Sequence, residues 1–98
     1  MKSTFLIKLL SETNKPEIMN LLLKALFTNK EIKELENRIK IFQLLLRGKK
    51  QREISEILNV GVATVTRGAS ALENEGIFKV NNKVIQMLKT NKIDLNDK

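Results

Sequence analysis

Apolar side chains recur along this chain at helical spacing in a succession of runs separated by short polar breaks. Phe5, Leu6, Leu9 and Leu10 mark the apolar face of a first short helix. Asn14-Lys15-Pro16-Glu17 interrupts it and starts the next, with Asn14 or Lys15 as N-cap and Pro16 in the first turn, where a missing N–H costs nothing. That second helix carries Ile18, Leu21, Leu22, Leu23 and Leu26. Thr28-Asn29-Lys30-Glu31 has the form of a capping box, Thr28 and Glu31 each satisfying the other's backbone donor. It opens the longest predicted helix, Asn29 to Arg47, with Ile32, Leu35, Ile39, Phe42 and Leu46 along one stripe and Gly48 at its end.

The segment Gln51–Leu72, QREISEILNVGVATVTRGASAL, reads as two short helices around a sharp turn. Ile54, Ile57 and Leu58 share one face of the first, and Val60, Val65, Ala69 and Leu72 continue the same small core. Asn59 tolerates a left-handed backbone and can end the first helix. Such a pair is a helix-turn-helix, which leaves the outer face of its second helix free to enter a DNA major groove. That face shows Val62, Ala63, Thr64, Thr66 and Arg67, small or hydrogen-bonding residues that leave base edges approachable. Periodicity alone suits two packed helices of any helical domain equally well. Beyond Leu72, Glu73-Asn74-Glu75-Gly76 breaks the helix. In 77–88, Asn81-Asn82 either turns a hairpin, giving a wing, or caps a last helix from Lys83 to Lys89. The polar tail, 91–98, is expected to fray.

Charge favours the DNA-binding reading of Gln51–Leu72 over that of two packed helices. The chain has 18 Lys+Arg against 11 Asp+Glu, a net charge of +7. Arg47, Lys49, Lys50 and Arg52 crowd into the approach to the segment, where a helix-turn-helix meets phosphate and releases counterions. A membrane surface suits the cluster less, since no large apolar face with aromatic anchors follows it. The absence of Cys and His removes disulfides, thiolate metal sites and the commonest general base and zinc ligand. With no Gly-rich phosphate loop and no carboxylate pair in an apolar run, the chain does not read as an enzyme and needs no metal. The N-terminal apolar run is interrupted by Lys8 and lacks a small-residue cleavage site, so a cytoplasmic protein associated with the nucleoid is expected.

The 98 residues suit one all-α domain: dimerisation helices over 1–47, the helix-turn-helix over 51–72, a C-terminal helix over 77–90, then the tail. The first helices are apolar on more than one face, Leu21-Leu22-Leu23 being consecutive, which predicts an intertwined homodimer.

In Asn37-Arg38, Leu45-Leu46-Arg47-Gly48, Gln51-Arg52-Glu53 and Ala63-Thr64-Val65-Thr66-Arg67-Gly68, the chain resembles the bacterial tryptophan repressor family. The resemblance covers roughly Leu21 to Leu72 and implies a six-helix, interlocked homodimer, favouring the last helix over the wing. It implies a double-stranded operator as partner, with Arg52 reaching a guanine, Val62, Ala63 and Thr66 facing the groove, and Thr64 at a phosphate. It also implies L-tryptophan as corepressor, its indole between Arg38 and Arg67, its carboxylate on Arg67 and on Thr28 of the partner chain, and Gly68 beside the ring. Guanidinium planes suit that task, since they stack on an aromatic face and still donate to a carboxylate. A glycine inside a helix costs about 1 kcal/mol against alanine, so Gly68 needs a reason such as close approach or tight packing.

Three features depart from the family pattern. Ala71 stands in place of a Ser that helps hold the ligand's amino group, Ala25 in place of a larger aliphatic residue beside the pocket, and the 48–51 segment is one residue short. Competing readings are an orphan relative that binds DNA with another ligand or none, and a helical interaction module whose basic face meets an acidic partner.

Overall fold

In a computed structural model, which describes residues 4–74, 76 and 82–95, the chain is helical, with no strand among the described residues. The helices are α1 (Phe5–Glu12), α2 (Pro16–Leu26), α3 (Asn29–Leu46), α4 (Gln51–Leu58), α5 (Val62–Asn74) and α6 (Asn82–Thr90). They group into two compact units, Met1–Glu34 and Leu35–Lys98.

Local chemistry sets the limits of the first unit's helices. Thr4 caps α1, its Oγ1 accepting from the Ile7 N–H at 3.3 Å. Thr13 closes α1 by donating its hydroxyl to the Leu9 carbonyl at 2.7 Å. Lys15 is the N-cap of α2, with Pro16 in the first turn as expected. At the start of α3 the capping box forms in both directions, Thr28 N–H to Glu31 Oε1 at 2.9 Å and Glu31 N–H to Thr28 Oγ1 at 3.1 Å. Neither α1 nor α2 contains a buried residue. Phe5 is 74% exposed and Leu21 64%.

The second unit holds the core. Ile41, Leu44, Ile54 and Val65 form its centre, with Leu45, Leu58, Val60 and Ile93 packed against them. The face of α3 turned to this core is not the stripe expected from the sequence. Leu35 and Ile39 are about half exposed, while Ile41 is fully buried. At 3.6 residues per turn the stripe Leu35, Ile39, Phe42, Leu46 lies about 130° around the helix from Ile41. Thus α3 has two apolar faces, and the folded unit covers the second.

The turn between α4 and α5 is Asn59-Val60-Gly61. Asn59 adopts φ 54°, ψ 50°, the left-handed conformation expected of it. Ser55 ties the turn, its Oγ donating to the Val60 carbonyl at 2.6 Å and its own carbonyl accepting from Val60 N–H at 3.1 Å. Ile57, expected in the core, is 40% exposed. Ile54 and Leu58, four residues apart, already supply the narrow arc that the small core accepts.

The last element is a helix from Asn82; residues 77–81, where the wing would turn, lie outside the described residues. The start of the tail makes contacts within the second unit. Ile93 packs on the core, and Gln43 donates its amide to the Asn91 carbonyl at 3.3 Å.

Candidate functional site

Helix α5 divides cleanly into two sides. Val65, Gly68 and Leu72 are buried, fixing the helix against the core, while Val62, Ala63, Thr66 and Arg67 are exposed. The spacing of three and four between the buried positions makes this division, and the small residues between them leave a low, open outer surface. Thr64 is half-buried, and Arg67 Nη2 donates to its Oγ1 at 3.4 Å. Thr66 Oγ1 donates to Gln51 Oε1 at 2.8 Å, joining the two helices across their outer edge.

The basic cluster is not uniform. Lys49, Lys50 and Arg52 are exposed around the start of α4. Glu53 Oε1 accepts from the Lys50 N–H at 3.1 Å, which organises the first turn while leaving the ammonium outside. Arg47, expected to meet phosphate, is exposed and turns its guanidinium to the end of α6. Its Nη2 donates to the Leu88 carbonyl at 3.3 Å and to the Asn91 carbonyl. Those carbonyls have no partner in the helical ladder, and a cation is the natural complement to a helix C-terminus.

Of the residues that the family resemblance assigns to a ligand, Arg38 and Gly68 come together. A Cβ at position 68 would lie 2.8 Å from Ile41 Cγ2, 3.4 Å from Arg38 Cδ and 3.6 Å from Arg38 Nε. Gly68 therefore lets α5 approach α3 closely, and the Arg38 stem crosses the same spot. Arg67 is the preceding residue of α5, and Ala71 is half-buried one turn further along. Thr28 and Ala25 belong to the other unit, Thr28 engaged in the α3 capping box and Ala25 exposed on α2.

Sequence reasoning missed Gln51, Ser55 and Gln43 as contributors. Gln43 carried a signal, being a polar residue within the apolar run Ile41–Leu46 and 7% exposed. Gln51 and Ser55 carried none, because polar residues on a short amphipathic helix are expected at its surface.

The model for the Trp repressor protein family matches residues 2–87. A protein of Xylella fastidiosa (strain M23), described as a Trp operon repressor homolog, is 37% identical over 73 residues, which span 74% of this chain and 79% of that protein. Proteins of the same description from Aliivibrio fischeri and Photobacterium profundum are 48% identical over 54 residues and 44% over 57. The first alignment covers 54% of this chain and 50% of the relative, and the second 57% and 55%. No solved structure matches the chain significantly.

Proposed function

Because this chain belongs to the Trp repressor family, whose members are DNA-binding transcriptional repressors, we propose that it acts as a homodimer gated by L-tryptophan at operators of tryptophan-related genes. The observation that carries the reading is the two-sidedness of α5. Its inner face is locked into the core by Val65, Gly68 and Leu72, and its outer face is open beside Lys49, Lys50 and Arg52. In this reading α4 and α5 are a helix-turn-helix, α5 lies in the major groove, and the flanking cations neutralise phosphate. The apolar residues left exposed on α2 and on the outer face of α3 supply the dimer surface.

The residues around Gly68 suit an indole amino acid in kind. Tryptophan, when bound, brings an aromatic face and a carboxylate, and Arg38 and Arg67 would hold both. The Arg38 stem now lies over Gly68, so admitting a ring there means moving it. Ala71 has no hydroxyl for the ligand's ammonium, and one lost hydrogen bond to a charged group weakens a site by about 1.5–3 kcal/mol. Ala71 is also the observation that favours a second reading, an orphan regulator with another ligand.

The chain contains neither Trp nor Tyr, so all indole fluorescence in a titration comes from the ligand. Burial will shift the tryptophan spectrum to the blue, Arg67→Ala will abolish the shift, and Ala71→Ser will tighten binding. Tryptophan and operator must then strengthen each other's binding by the same factor. In footprinting, Arg52→Ala will relax the preference at one base pair, while Lys50→Ala will weaken all sequences alike. An unchanged tryptophan spectrum at millimolar ligand with excess protein removes tryptophan as effector. No preferred genomic site, with or without ligand, removes the operator.

A further inference from the structure

The Thr66–Gln51 hydrogen bond, 2.8 Å long, links the open face of α5 to the first residue of α4. Gln51 is well placed to act as a fixed partner. The Glu53 carboxylate holds the Lys50 N–H before it, and fully buried Ile54 anchors the same turn.

A threonine hydroxyl has one proton and two acceptor lone pairs. Here the proton goes to Gln51 Oε1, so exposed Thr66 shows its surroundings an acceptor and a methyl group, with no donor. In the major groove, adenine and cytosine present an exocyclic amino donor, whereas guanine and thymine present carbonyl acceptors. We propose that Gln51 is a positioning residue that fixes the donor–acceptor sense of Thr66, so that α5 selects an adenine or cytosine amino group at the base edge facing Thr66. The inference rests on the proposed entry of α5 into the groove.

The test is selection of binding sites from randomised duplex DNA by the full chain and three variants, each first confirmed to be helical by circular dichroism. The unaltered chain will prefer adenine or cytosine over guanine or thymine at one position by about three- to tenfold, the worth of one hydrogen bond. Gln51→Glu keeps an acceptor for the Thr66 proton and will keep that preference, although its added negative charge lowers affinity for every sequence. Gln51→Met frees the hydroxyl to donate or accept and will erase the preference there while sparing neighbouring positions. Thr66→Val, which removes the hydroxyl at nearly constant shape, will erase it too. Retention of the preference by Gln51→Met or Thr66→Val, its loss in Gln51→Glu, or a preference for guanine or thymine facing Thr66 overturns the proposal while leaving α5 as the reading helix. An unaltered chain with no preferred base anywhere overturns the groove reading itself, and this inference with it.

Discussion

The Arg38 side chain lies across Gly68, its Cδ 3.4 Å and its Nε 3.6 Å from where a Cβ on residue 68 would stand. Beneath the same point, Ile41 Cγ2 is only 2.8 Å away, and Ile41 is fully buried with nowhere to move. Gly68→Ala gains helix propensity of about 1 kcal/mol, but the overpacking it forces costs about 1–3 kcal/mol. We expect net destabilisation, seen as a lower urea midpoint. Ile41→Leu removes the offending Cγ2, so the double variant will be more stable than the two single effects added together. A stabilised Gly68→Ala protein would show that α3 and α5 separate easily.

Arg47→Met tests whether the guanidinium serves α6 or DNA. If it serves α6, hydrogen exchange in the last turn of that helix will accelerate and thermal stability will fall by about 1 kcal/mol. The salt dependence of DNA binding will stay unchanged. The opposite pattern, intact stability with the salt slope reduced by about one, would return Arg47 to the phosphate contacts.

The turn before α5 depends on Asn59 and Ser55. Asn59→Gly will be nearly neutral, because glycine takes the left-handed conformation freely, whereas Asn59→Val will cost about 1–2 kcal/mol. Ser55→Ala removes the 2.6 Å bond to the Val60 carbonyl and should cost about 1 kcal/mol. Denaturant titration of the three variants checks the order. Equal effects from Gly and Val at 59 would mean that the turn adopts another backbone in solution.

Leu35→Asp separates a single chain from a dimer. Leu35 is 45% exposed in one chain, so a carboxylate there alters an isolated chain by roughly 0.5 kcal/mol or less. Buried in the proposed dimer surface, the same charge would dissociate it. Sedimentation will show a dimer for the unaltered chain and a monomer or aggregate for the variant. A stable monomer of the unaltered chain at micromolar concentration would end the dimer reading.

The helices were largely legible because their signals are local. The Thr28–Glu31 box, Pro16, Asn59 and Gly48 each act within a few residues of where they stand. Which face of α3 turns inward was not, because two apolar stripes satisfy the same periodicity. The packing of α4 and α5 on α3, with Ile54, Val65 and Gly68 facing it, selects Ile41 over Ile39. In the candidate site, residue types announced Arg67 and the small outer face of α5. The link from Arg47 to α6 was not legible, since a basic residue beside a basic cluster gives no hint that helix carbonyls lie within its reach. The Thr66–Gln51 bond spans two helices and has no periodic signature at all.

If the proposed dimer forms, the bare surfaces of α1 and α2 also make abundance a control variable. Helices of 8 and 11 residues are marginal in water on their own, and neither holds a buried residue in one chain. In the proposed dimer their order comes from the second copy, so folding and encounter are the same event. Each tenfold dilution then moves the balance towards unfolded chains by about 1.4 kcal/mol. A cell that makes little of this repressor would therefore hold a smaller folded fraction as well as fewer molecules, and operator occupancy would fall more steeply than the amount of chain synthesised.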